Sequence, residues 1–241
     1  MARQAVERRP KLQRRWMQHG GCMKIGIVGA GYVGRAVAEL ASRAGCEVRI
    51  SNSRGPRTLS SVGVATGATP ATIEDAVAFA DIVFVAIPFA NREDLPAELF
   101  ARKIVIDANN YYPQRDGNID ALDAMTTTTS ELMQAALPGA RLVKGFNAIL
   151  ATDIVPDARP TGTPDRRALP IAGDDAEAKA AVAQFHDLIG FDAHDAGSLA
   201  DSWRFERAKP AYCVALDEDG LVAALAAADR AEEAAEGSWR G

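Results

Sequence analysis

Lys24 to Gly34, KIGIVGAGYVG, is the stretch whose reading decides the fold. An apolar run, Ile25 to Val28, leads straight into Gly29-Ala30-Gly31-Tyr32-Val33-Gly34. Val33, Val37 and Leu40 then recur on one helical face. Strand, glycine turn and helix in that order turn a GxGxxG match into a dinucleotide-binding signature. Gly29 would allow the tight turn, Gly31 would let backbone approach a pyrophosphate, and Gly34 would let the helix pack on the strand. The start of that helix offers free N–H groups and a positive dipole end to phosphate.

The next strand, Glu47 to Ser51, follows a helix stop at Gly45. An NAD site would place an acid near the end of this strand, to hold the ribose hydroxyls. Here the chain reads Ser51-Asn52-Ser53-Arg54-Gly55-Pro56-Arg57, with no acid. Hydroxyls and guanidinium groups suit a phosphate dianion instead. Ser51, Ser53, Arg54 and Arg57 are therefore expected to form a 2′-phosphate pocket, and the cofactor to be NADP(H).

The chain of 241 residues is long enough for one large domain, or for one domain and a smaller lobe. No apolar run approaches the length that spans a bilayer. Cys22, Cys46 and Cys213 are odd in number and lack metal-ligand spacing, which reads as free thiols in a reducing, cytoplasmic setting with no metal site. Arg3, Arg8, Arg9, Lys11, Arg14 and Arg15 face only Glu7 at the start, a net of +5 on a chain whose total is −5. Residues 1–22 thus read as a dispensable basic arm ahead of a natural start at Met23. The acidic remainder argues against nucleic acid as a partner.

Ile82 to Ile87, Lys103 to Asp107 and Arg141 to Phe146 are apolar runs of the kind found in strands covered on both faces. Helices are expected at Thr72 to Ala80, Arg92 to Phe100 and Ser130 to Leu137. The alternation predicts an α/β fold, a Rossmann-type doubly wound parallel sheet, over residues 23–150. A small C-terminal α/β lobe with a helical tail is expected over 151–241. In that lobe, 150 to 168 reads as a loop rich in Pro, Asp and Arg, and Leu169 to Gly173 as a strand. Asp174 and Glu177 have capping-box spacing for a helix through Ile189. A short strand from Phe191 to Asp195 and helices at Leu199 to Arg207, Pro210 to Leu216 and Leu221 to Ala235 complete the expectation.

Ligands of such sheets bind beyond the carboxyl ends of the strands. Ile87-Pro88-Phe89, Ala108-Asn109-Asn110-Tyr111-Tyr112 and Phe146-Asn147-Ala148 occupy three of those ends. Ile87, Pro88, Asn109 and Asn147 are the candidates to shape a nicotinamide pocket, with turn and core roles as the alternatives. His19 lies in the arm, and His186 is expected at the surface or boundary of its helix. His194, beside Asp195, is the sole candidate proton donor. Hydride transfer between two stacked rings depends on orientation more than on an acid, so no ionisable general acid is expected.

From Met23 to about Leu216 the chain resembles the NADPH:deazaflavin oxidoreductases, which reduce coenzyme factor-420. It is also similar to the soluble reductase domain of the six-transmembrane epithelial antigen metalloreductases. The resemblance rests on KIGIVGAGYVG, Ser53-Arg54, VAIPF, VIDANN, RLVKGFNAI, IAGDD and LIGFDAHDAGSL, in that order. It implies that Gly31, Tyr32 and Val33 face the pyrophosphate, Ser53 and Arg54 the 2′-phosphate, and Ile87 and Pro88 the nicotinamide end. The C-terminal part would cover the acceptor. The expected activity is NADPH-dependent reduction of a small deazaflavin or flavin-like acceptor by a homodimer free of membrane contacts. A β-hydroxyacid or imine dehydrogenase is the second reading, and a non-catalytic NADP(H)-binding sensor the third.

Overall fold

β1, Lys24–Val28, is buried on both faces, with Ile25 and Ile27 turned to one side and Val28 to the other. The structure, a computed structural model, describes residues 22–235. The basic arm expected over residues 1–22 lies outside these, but for the exposed Cys22. After the glycine turn comes α1, Tyr32–Arg43, then β2, Glu47–Ser51. A 3-10 turn at Pro56–Leu59 leads into α2, Ser60–Thr66, and β3, Thr69–Pro70. α3, Ile73–Phe79, is capped by the Thr72 hydroxyl and leads to β4, Ile82–Val85. β5, Ile104–Asp107, is followed by two short helices, α4, Pro113–Asp116, and α5, Asp120–Asp123. α6, Thr129–Ala136, opens on a capping box between Thr128 and Glu131 and is followed by β6, Arg141–Lys144.

Strand order is β3-β2-β1-β4-β5-β6 and then two further strands, β7, Ala168–Gly173, and β8, Asp192–Asp195. All neighbours run parallel except β6 and β7. The first six have the doubly wound Rossmann order, and the sheet reverses direction of growth between β1 and β4. Alternation along the strands explains the unbroken apolar runs. In β4, Ile82 and Phe84 join the core under α1, whereas Val83 and Val85 join the core on the opposite face. Gly26 and Gly34 mark where helices lie closest: an added Cβ would stand 2.2 Å from the Ala76 carbonyl oxygen and 2.0 Å from that of Gly29, respectively.

Several expected elements differ. Residues 92–100 form no helix, because Pro96 cannot donate and holds Leu95 extended; two 3-10 turns, Phe89–Asp94 and Ala97–Phe100, stand there. The stretch 150–168 contains α7, Ala151–Asp157, packed against α1 through buried Ile154. Its last two arginines are not solvated. Arg167, almost fully buried, pairs with Asp153 at 3.3 Å and Asp157 at 2.5 Å, and Arg166 pairs with Asp187 at 2.7 Å and Asp192 at 2.8 Å. α8, Ala176–Ile189, is capped by Asp175, because the Asp174 carboxylate accepts from the Leu199 amide instead. Leu199–Phe205 is 3-10, and 210–216 is not helical, with Ala208 and Cys213 in left-handed backbone. The last helix, α9, Glu218–Ala226, ends well short of Ala235. Its Leu221 and Leu225 close a third core with Ala148, Phe205 and Tyr212.

His186 is not a surface residue. It is fully buried on α8, stacked 4.2 Å from the Phe146 ring, with Nδ1 2.8 Å from the Val182 carbonyl oxygen. Burial lowers its pKa from 6.5 to about 4. As pH falls from 6.5 toward 4, the unfolded chain takes up a proton that the native ring refuses, so stability declines over that window. The loss should reach roughly 3 kcal/mol at 1.36 kcal/mol per pKa unit. Denaturant titrations at stepped pH should show this decline, and His186→Phe should flatten it. An unchanged slope in the variant would assign the decline to other groups.

Candidate dinucleotide and acceptor site

The loops after β1 and β4 face each other where strand order reverses, and two cavities open there. The first, about 530 Å³, is lined by Gly29, Gly31, Tyr32, Arg35, Asn52, Ser53, Arg54, Ile73, Ile87, Pro88 and Asp94, among others. The second, about 390 Å³, is lined by Gly31, Tyr32, Val33, Ile87, Pro88, Asn109, Tyr112, Arg115, Phe146, Asn147 and Tyr212, among others. Gly31, Tyr32, Ala86, Ile87 and Pro88 belong to both. The two cavities thus adjoin across a shared wall at the switch point.

The glycine turn gives each glycine a different reason. Gly29 has φ +113°, and an added Cβ would stand 2.0 Å from the Ala86 carbonyl oxygen. Gly31 has ordinary backbone, φ −74°, and an added Cβ would meet nothing within 4 Å. Space, rather than packing, adjoins it. Gly31 is also the N-cap of α1 and supplies no side-chain acceptor, so the first-turn N–H groups stay available. Arg35, not singled out in the sequence, lies in the same wall, its Nε donating to the Ala30 carbonyl oxygen at 2.8 Å. Its place one turn into the GxGxxG helix was the available signal.

Beyond β2, Asn52 organises the turn that carries Ser53 and Arg54. Its carboxamide oxygen accepts from the Arg54 amide at 3.0 Å, and its Nδ2 donates to the Thr58 hydroxyl at 3.0 Å. No hydrogen bond or ion pair among the described residues engages the Arg54 guanidinium, which is exposed in the cavity wall. Two expected members are elsewhere. Ser51 is fully buried and its hydroxyl donates to the Ile27 carbonyl oxygen at 2.9 Å, because the last strand residue turns into the sheet. Arg57 sits in the 3-10 turn, outside the cavity lining. Gly34 packs beneath the turn rather than lining either cavity.

A buried polar network fixes the opposite wall. The β5/β6 register pairs Asp107 with Lys144, and both side chains are completely buried. Asp107 accepts from the Asn109 amide at 3.0 Å, Asn109 Nδ2 at 2.8 Å, the Ser130 hydroxyl at 2.7 Å and Lys144 Nζ at 3.3 Å. Lys144 also donates to the Thr129 hydroxyl at 2.8 Å and to the Asn109 carbonyl oxygen. Asn109 Oδ1 in turn accepts from the Ile87 amide at 2.8 Å, tying the loop after β4 to that after β5. This pair was readable only as a lysine inside an apolar strand pattern.

Asn147 is buried, with Nδ2 donating to the Phe205 carbonyl oxygen at 2.9 Å. Its Oδ1 has no partner among the described residues. Phe146 and Cys213, both in the second cavity, hold left-handed backbone at φ 60° and 57°. Strain of that kind in non-glycine residues gathers at functional sites. Phe146 is also a core residue, 1% exposed. Ala148 and Tyr111 do not face the cavity: Ala148 lies in the third core, and the Tyr111 hydroxyl donates to Asp123 at 2.9 Å. His194 lies in neither cavity, its Nδ1 2.6 Å from Glu218 Oε1.

Residues 24–111, which hold the glycine turn, the Ser53-Arg54 turn and Asn109, match the model of the family described as NADP oxidoreductase, coenzyme F420-dependent. A solved structure of a hypothetical protein, SMa0349, from Sinorhizobium meliloti is 30% identical with a TM-score of 0.71, covering 86% of this chain and 100% of that one. A candidate F420-dependent NADP-reductase from Arthrobacter sp. FB24 is 28% identical with a TM-score of 0.63, covering 75% of this chain and 87% of that one. The dinucleotide-binding part of the chain is thus similar to the coenzyme F420-dependent NADP oxidoreductases. Rat metalloreductase STEAP3 is 27% identical over 82% of this chain, which spans 40% of that relative's length. Among the described residues, no helix is long and apolar enough to cross a membrane.

Proposed function

We propose that this protein is an oxidoreductase that passes hydride between NADP(H) and a deazaflavin or flavin-like acceptor. The observation that carries this reading is the pair of adjoining cavities at the switch point, one whose lining fits a phosphorylated nucleotide and one beside it with room for a second ring. NADPH, when bound, supplies the hydride. The chain's own residues bind, orient and exclude water. Open space at Gly31 and the uncapped start of α1 fit a pyrophosphate, and Arg35 adds a cation to that wall. Ser53 and Arg54 fit a 2′-phosphate. The unpartnered Asn147 Oδ1 fits a carboxamide N–H, the donor a nicotinamide carries. Ile87 and Pro88, anchored through Asn109, would set the plane on which the two rings meet.

Neither described histidine is placed to serve as an acid, since His186 is sealed in the core and His194 pairs with Glu218 away from both cavities. The β-hydroxyacid and imine dehydrogenase reading is weaker, because the chain after β6 returns to the sheet through β7 and β8. Free Cys22, Cys46 and Cys213 suit a reducing compartment.

Arg54→Ala should weaken NADPH binding by about 1.5–3 kcal/mol, the scale of a hydrogen bond to a charged group, and leave NADH binding nearly unchanged. Calorimetric titration of both nucleotides checks this. Equal losses for the two would remove the 2′-phosphate from Arg54.

A further inference from the structure

The second cavity holds a hydroxyl pair with no part in the reading above. Tyr112 follows β5, and Tyr212 lies a hundred residues later, yet their hydroxyl oxygens stand 2.6 Å apart. Both line the cavity together with Ile87 and Pro88. Tyr212 is 4% exposed, and burial pushes its phenol above the usual range, so it stays protonated. Its hydroxyl also meets the Cys213 thiol, which burial pushes up to about 11. Tyr112 is half-buried, with the Arg115 guanidinium 4.7 Å and that of Arg207 5.8 Å from its ring centroid. Asp116 holds Arg115 in place through Nε and Nη2, both at 2.8 Å.

A tyrosine hydroxyl donates once and its rotor turns to suit its partners. An electron-rich oxygen in the cavity would set the chain in one direction. Tyr212 then donates to Tyr112, and the Tyr112 hydrogen is left for the ligand. The left-handed backbone at Cys213, whose amide donates to the Ala148 carbonyl oxygen at 3.1 Å, keeps Tyr212 turned toward Tyr112.

We propose that the Tyr112–Tyr212 pair is the polar contact by which the cavity selects its redox acceptor, which therefore presents an electron-rich oxygen, such as a ring carbonyl of a pyrimidinedione, beside Tyr112. Tyr112 touches the acceptor, and Tyr212 is a positioning residue. The inference rests on reading the second cavity as the acceptor site.

The test is equilibrium binding of 8-hydroxy-5-deazaflavin to the full-length, nucleotide-free protein, followed by quenching of the deazaflavin fluorescence, with NADPH affinity and thermal melts measured alongside. Tyr112→Phe should raise the deazaflavin Kd roughly 5–30-fold, the loss of one hydrogen bond to a polar oxygen, and hold the NADPH Kd within twofold. Tyr212→Phe should raise it roughly 3–10-fold, since Tyr112 keeps its hydroxyl but loses its orientation. Tyr111→Phe, next in sequence but outside the cavity, should change neither. A folded Tyr112→Phe protein with a deazaflavin Kd within twofold of the parent overturns the pair's role and leaves the proposed function standing. Should Tyr112→Phe fail to fold, Tyr212→Phe decides by the same twofold limit. A parent protein that binds NADPH but neither deazaflavin nor FMN nor FAD removes the proposed function, and this role with it.

Discussion

Gly31→Leu is expected to leave the fold intact and to remove NADPH binding. The backbone at Gly31 has φ −74°, which leucine adopts freely, and an added Cβ meets nothing within 4 Å. No packing clash or backbone strain should therefore lower stability. The side chain would instead fill the space over the start of α1, where a pyrophosphate has to approach the amide groups. Affinity should fall at least roughly a hundredfold, about 3 kcal/mol at 1.4 kcal/mol per tenfold. Gly29→Ala is the contrasting case. With φ +113° and a Cβ 2.0 Å from the Ala86 carbonyl oxygen, the damage there should fall on the fold itself. Parallel melts and NADPH titrations separate the two. A Gly31→Leu protein that binds NADPH like the parent would mean the nucleotide does not lie across this turn.

Lys144→Met is expected to cost about 3 kcal/mol, the low end for removing one partner of a buried ion pair. Asp107 would remain fully buried with its charge uncompensated, although Ser130 and Asn109 still donate to it. The Asn109 carbonyl oxygen and the Thr129 hydroxyl would each lose a donor as well. Against a typical total of 5–15 kcal/mol this is a large share, and for a chain of this size it corresponds to a Tm lower by about 6–12 °C. Adding Asp107→Asn should recover about half of the loss, because the amide can donate to Ser130 and carries no charge. Guanidinium denaturation of the parent, both single variants and the double variant measures this coupling. Strictly additive losses would mean that Lys144 and Asp107 do not act as a pair.

Much of the dinucleotide half was legible because its chemistry is local. The turn at Gly29 to Gly34 and the missing acid after β2 depend on residues within a few positions of one another. The C-terminal part was read less well, because long-range partners decide it. Asp153, Asp157, Arg166 and Arg167 look like a solvated loop in sequence, yet the arginines are buried on carboxylates from α7, α8 and β8. Asp174 has the spacing of a helix cap, but the Leu199 amide claims it. His186 shares a face with Val182 and Ile189, and its burial follows from a stack on Phe146, forty residues away in the chain.

The site divides the same way. Gly31, Ser53, Arg54, Ile87 and Pro88 were readable from motif and strand ends, Tyr32 from the resemblance alone, and all line the first cavity. Ser51 faced the wrong way because alternation at the last residue of β2 points it into the sheet. The Asp107–Lys144 pair and the Tyr112–Tyr212 pair each join residues from separate elements. Only strand register and the packing of the third core bring them together.

Anaerobic mixing of the protein with NADPH and 8-hydroxy-5-deazaflavin, following the absorbance of both, tests the proposed function most directly. FMN, FAD and ferric chelates in turn provide the comparison. The expected result is one-for-one loss of NADPH and oxidised deazaflavin, dependent on protein and faster than with any other acceptor. NADPH that binds and stays unoxidised with every acceptor, or that is consumed with ferric chelates alone, would contradict it.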